Sequence, residues 1–174
     1  MPAIIRSVRG FTPTFGANCF FAENAVIVGE VTMGENCTVW FNAVVRGDVH
    51  SITIGNNTNI QDGAIIHCTY QKAKTTIGSN VSIAHNAIVH GCTVHDNVLI
   101  GMGAIIMDDA VIGENSVIAA GAVVLAGTKV EAGSIYAGMP AKKVKDIGDD
   151  MKEVIQRTAR NYPMYAEWFK NPWF

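Results

Sequence analysis

The chain has 174 residues, 49% hydrophobic and 16% charged, with a formal net charge of −2, and one domain with ample core is the natural expectation. No basic patch argues for nucleic acid, and the longest apolar stretch, Val117 to Gly127, falls short of the roughly 18 residues that read as a membrane span. The N-terminus has no long apolar signal region, and Cys19, Cys37, Cys68 and Cys92 form no CxxC pair, so the expected location is the reducing cytoplasm.

Along the chain the first pattern is a six-residue repeat. An aliphatic residue opens each hexad, and a small or β-branched residue follows four places on. It runs through Met33 and Val39, then Ile54, Ile60 and Ile66, then Ile77, Ile83 and Val89. From Val94 it is nearly unbroken through Ile100, Ile106, Ile112, Ile118, Val124, Val130 and Tyr136. A hexapeptide period is the signature of a parallel β-helix. One hexad makes a short strand and a corner, and only stacking buries its apolar side. Cys37 falls on an inward small position and reads as core.

After Val144 the hexads stop. Met151, Val154, Ile155, Thr158, Tyr162 and Tyr165 recur at helical spacing. The predicted helix has Asp149 as its N-cap, is broken or kinked by Pro163 near Tyr162, and ends at Asn171-Pro172. Residues 1–144 are thus read as the β-helix and 145–174 as a helical tail packed on it, within a single domain.

Hexapeptide β-helices carry three hexads per coil, a number that the period alone does not supply. With it, hexads three apart stack about 4.8 Å from each other. His67 and His90 are second residues of hexads three apart, and Arg46 holds the same place one rung lower. Arg46, His67 and His90 form one column. His85 belongs to the preceding face, five residues from His90, or roughly 16 Å of extended chain. Zinc-binding nitrogens lie about 2.0–2.1 Å from the metal, so one chain should not close that gap. If all three histidines bind one metal, His85 comes from a neighbouring subunit. Two insertions interrupt the repeat, between Val45 and Ile54 and between Ile66 and Ile77. Both are expected to overhang the column as loops, one carrying Asp48, Val49 and His50, the other Tyr70 to Lys74.

Arg46-Gly47-Asp48, Thr58-Asn59-Ile60-Gln61-Asp62, His67, His85, His90-Gly91-Cys92, the tail motif Tyr136-Ala-Gly-Met-Pro-Ala-Lys-Lys and the helix with Asn161-Tyr162 resemble the γ-class carbonic anhydrase-like family of hexapeptide-repeat proteins. The resemblance covers nearly the whole chain. It implies a left-handed β-helix with a C-terminal α-helix, a homotrimer, and one metal at each subunit interface. Zinc is the implied metal; iron(II) and cobalt(II) also suit imidazole ligands. His67 and His90 would bind from one subunit and His85 from the next. Arg46 and Asp48 would form an ion pair near the interface, and Gln61 would contact the metal-bound water or the bicarbonate. Asp62, one rung below His85, would orient that imidazole, with Asn59 beside it in the same motif. The implied reaction is attack of a metal-bound hydroxide on CO2 to give bicarbonate. The glutamates that relay the proton in the best-studied members fall at Val49 and Tyr70, and Tyr162 is a candidate for lining the site.

Blander readings stand beside these. Arg46–Asp48 can be a purely structural pair, and Gln61 part of a polar ladder in the solenoid. His50 reads as a loop residue, His95 as a solvated corner, Met102 and Met107 as packing. Cys68 and Cys92 read as buried thiols rather than ligands. An acyl-CoA-dependent transferase or thioesterase is the alternative function, and a metal-stabilised trimeric scaffold without turnover is a third.

Overall fold

The structure is a computed structural model, and it describes residues 2–170. The hexad pattern forms a parallel β-helix with three faces and a C-terminal α-helix. One face stacks Ile65–His67, Ile88–His90, Ile105–Ile106 and Val123–Val124 above the first half of the strand Val44–Ile54. The second half of that strand turns the corner and carries Thr75–Ile77, Thr93–Val94, Val111–Ile112 and Lys129–Val130. The third face runs from Phe20–Phe21 through Thr38–Val39, Asn59–Ile60, Ser82–Ile83, Leu99–Ile100 and Val117–Ile118 to Ser134–Gly138. There the final strand, Ala141–Asp146, reverses and pairs antiparallel with Ser134–Gly138.

Packing follows the repeat. Ile60, Ile66, Ile83, Val89, Ile100, Ile106, Ile112 and Ile118 are fully buried along the axis, with Cys37, Ala64, Ala87, Ala104 and Ala122 at the tight inward positions. Corners need left-handed backbone, which asparagine tolerates better than most side chains. Asn57, Asn80 and Asn97 accordingly have positive φ and stack, each amide donating to the next at 3.2 Å.

Both insertions differ from simple loops. The first stays inside the strand Val44–Ile54: against Val26–Met33 the register jumps from Gly29↔Gly47 to Val31↔Ile52, so the extra residues form a bulge. The bulge needs glycine, because a Cβ on Gly29 would sit 2.4 Å from the Gly47 carbonyl oxygen. The second, residues 68–74, is a compact turn closed by a bridge between Thr69 and Ala73.

The helix spans Asp149–Lys170. The Met151 and Lys152 amides both donate to the Gly148 carbonyl. Gly148, rather than Asp149, is therefore the N-cap, while Asp149 pairs with Lys152 at 2.8 Å. The helix also runs on through Pro163 instead of breaking at Tyr162. Proline removes one bond to the carbonyl of Ala159, but the flank Ile155, Ala159 and Ala166 is buried, and Tyr162 meets Trp40 edge-on at 5.4 Å. That docking holds the helix across the gap. Its expected end at Asn171-Pro172 lies outside the described residues. No helix among the described residues is long and apolar enough to cross a membrane.

Candidate metal centre

Strand pairing places His90 directly on His67. Val45 pairs with Ile66, so Arg46 is the next rung down. Within this column His67 Nδ1 faces His90 Nε2 at 3.1 Å. Arg46 Nη1 donates to Asp48 Oδ2 at 2.5 Å, and Asp48 Oδ1 lies 3.0 Å from His67 Nε2. His85 follows the strand Ser82–Ile83 on another face, which pairs with Asn59–Ile60. That register sets Asp62 beneath His85, and His85 Nδ1 meets Asp62 Oδ2 at 2.9 Å.

A carboxylate not anticipated from the repeat completes the set. Asp108 Oδ1 lies 2.6 Å from His90 Nδ1, and its Oδ2 accepts from Thr69 Oγ1 at 2.5 Å. The turn Met107–Ala110, with Asp109 at φ 61° and its amide donating to the Gly91 carbonyl, puts Asp108 over Gly91. The only signal in the sequence is Asp108-Asp109 at the corner one rung above His90.

Each of the three imidazoles therefore has one nitrogen held by a carboxylate. Carboxylates only accept, so on neutral rings His67 donates from Nε2 and His90 from Nδ1. Two lone pairs then converge across 3.1 Å, a repulsive arrangement unless a cation lies between them. Two nitrogens on one tetrahedral zinc, at about 2.0–2.1 Å each, stand ~3.3 Å apart. The pair fits a divalent metal. Burial holds the His67 imidazole below its usual pKa, and Arg46 adds to this against the pull of Asp48. Burial pushes Asp48 up, but hydrogen bonds from His67 and Arg46 outweigh it and bring the carboxyl below its usual range. Asp108 behaves alike, with Thr69 and His90 overcoming burial.

His85 stays apart from the column. Among the described residues no three His, Cys, Asp or Glu side chains of one chain are grouped to hold a metal. The His85 and Asp62 side chains are 42% and 41% exposed, whereas His67 is 17% exposed. The His85–Asp62 pair is thus the more open half of the set. Gln61 is buried, its amide donating to Asn59 Oδ1 at 3.0 Å, and Asn59 in turn donates to Ser82 Oγ at 2.8 Å. Within one chain it is thus part of a polar ladder. Burial, then the Asp62 charge, pushes the Tyr162 phenol up to about 12, so it stays protonated. Cys68 and Cys92 are buried, and burial raises both thiols above their usual pKa.

Known proteins are similar to this chain in sequence and fold. The family of bacterial transferase hexapeptides (six repeats) matches residues 12–47 and 91–126. A carbonic anhydrase of Geobacillus kaustophilus is 40% identical over 96% of this chain and 91% of its own. The chain belongs to the γ-carbonic anhydrase-like family of hexapeptide-repeat proteins. Another relative, gamma carbonic anhydrase 2, mitochondrial, of Arabidopsis thaliana, is 35% identical over 90% of this chain and 58% of its own length. A solved hexapeptide transferase family protein from Anaplasma phagocytophilum superposes with a TM-score of 0.90 at 37% identity, covering 94% of this chain and 96% of that one.

Proposed function

We propose that the protein is a metal-dependent, homotrimeric carbonic anhydrase that interconverts CO2 and bicarbonate in the cytoplasm. The observation that carries this is the set of three imidazoles, each with one nitrogen fixed by its own carboxylate. In this reading His67 and His90 of one subunit and His85 of the next hold the metal, which we assign as zinc, with iron(II) or cobalt(II) as substitutes. When bound, it lowers the pKa of water so that hydration of CO2 proceeds near neutrality.

The chain's own residues supply orientation. Asp48, Asp62 and Asp108 fix ring rotation and tautomer, as outer carboxylates do at histidine metal sites. Arg46 holds Asp48 in place. Gln61 is the candidate to bind bicarbonate, which requires its amide to exchange the Asn59 bond for one to substrate. Tyr162 is held by Trp40 and stays a phenol, so it lines the site as a hydrogen-bond donor and not as a base. Proton export is the weak link. Val49 packs against the core and Tyr70 lies beneath the Arg9 guanidinium, 5.7 Å from its carbon. Neither side chain offers a carboxylate to relay the proton. An acyl-CoA-dependent transferase leaves the paired carboxylates without a role.

The test is metal analysis of untagged protein purified anaerobically, joined to a CO2 hydration assay on the same sample. About one metal per chain is expected, bound through histidine. His67→Ala and His90→Ala should lose it, and wild-type stoichiometry in both would overturn the assignment.

A further inference from the structure

We propose that Asp108 is the positioning residue of His90 and that, through Thr69, it ties the 68–74 turn to the metal centre. The inference rests on the reading of His90 as a ligand. Two carboxylates along the column share one plan. Asp48 gives Oδ1 to His67 and Oδ2 to Arg46. Asp108 gives Oδ1 to His90 and Oδ2 to Thr69. In each case one oxygen sets the imidazole and the other is pinned by a donor: Arg46, two residues away in the same strand, for Asp48, and Thr69, from the 68–74 turn, for Asp108. The column is thus clamped from below by the bulged strand and from above by the next coil.

The surroundings are shaped for that contact. A Cβ on Gly91 would stand 2.5 Å from Asp108 Oδ1, so the carboxylate reaches His90 only across a glycine. Gly91 has φ +56° and donates its amide to Thr75 Oγ1, while Thr75 Oγ1 donates to the His67 carbonyl. Thr69 reaches Asp108 from a turn that its own bridge to Ala73 closes. Imidazole rotation about χ2 is broad and roughly two-fold, and the His90 side chain is 33% exposed. Without Asp108, the partner left to His90 is His67 Nδ1 at 3.1 Å, which can accept from a proton on Nε2. A proton on Nε2 removes the lone pair that faces His67.

Two measurements test this on the intact protein. Long-range proton–nitrogen correlation spectra of metal-free, 15N-histidine-labelled wild type should show His90 protonated at Nδ1. Asp108→Ala should lose that single tautomer, whereas Asp62→Ala should leave His90 unchanged. Cobalt(II) titration against a competing chelator should show binding about 10–100-fold weaker in Asp108→Ala and in the isosteric Asp108→Asn. Thr69→Val should give a smaller loss with the tautomer retained. Wild-type His90 protonated at Nε2, or wild-type cobalt affinity in both Asp108 variants, would overturn the proposal. Failure of the wild type to bind cobalt at all overturns the metal centre instead, and the tautomer alone then decides whether Asp108 sets His90.

Discussion

Co-expression of His85→Ala and His90→Ala chains tests the division of the site between subunits. The two histidines are separated by a corner in which the Ala87 amide donates to the Ala84 carbonyl; His85 follows a strand of one sheet and His90 ends a strand of the other. Each variant alone should be metal-poor. In a cyclic trimer with head-to-tail contacts, an interface is complete when the His85→Ala chain supplies His67 and His90 and its neighbour supplies His85. A mixed trimer of either composition has one such interface. Random mixing of equal amounts yields mixed trimers three times in four, so about a quarter of all sites should recover metal. The assay is metal content per chain by mass spectrometry after exhaustive dialysis, with each single-variant oligomer as baseline. Isolated mixed trimers that remain at baseline would refute the shared site.

Other consequences are equally measurable. CO2 hydration should be limited by proton transfer, so concentrated imidazole buffer should raise turnover, as should Tyr70→Glu in dilute buffer; fast turnover insensitive to both would contradict this. His67 has its pKa lowered on folding, so the unfolded chain takes up protons first as pH falls. Stability of the metal-free protein should then be fully present above about pH 6.5 and decline from there towards the depressed folded value. Urea denaturation at a series of pH values should show that decline, and His67→Asn should flatten this part of it. Ile100 is completely buried, and Ile100→Ala should cost about 2–5 kcal/mol in the same assay.

Much of the architecture was legible because the solenoid is nearly one-dimensional. The positions of Ile54, Ile60, Ile66 and Ile77 set the coil, and the coil set His90 on His67 and His85 on Asp62. Arg46–Asp48 was legible from the resemblance. What could not be read depends on contacts across rungs or between elements. Counting residues reveals the insertion after Val45, but not that the close approach of Gly29 and Gly47 keeps it within the strand. Pro163 predicts a break that burial of Ile155, Ala159 and Ala166 overrides. Asp108 is missed because its reach to His90 is set by a turn one coil later, beyond any local motif.

The reversed strand Ala141–Asp146 has a consequence for assembly. A stack of parallel strands leaves an open edge that another molecule can extend, coil on coil, into a fibre. On the third face this edge is covered by a strand of opposite polarity, whose outward groups no longer match a parallel newcomer. Lys142 and Lys145 are exposed along it, and their charges further repel an identical edge, while Lys143 is paired with Glu131 and Asp146. Stacking of a further parallel coil is thus disfavoured on that face. A chain lengthened by duplicating hexads would need the same reversed terminus to remain a discrete particle.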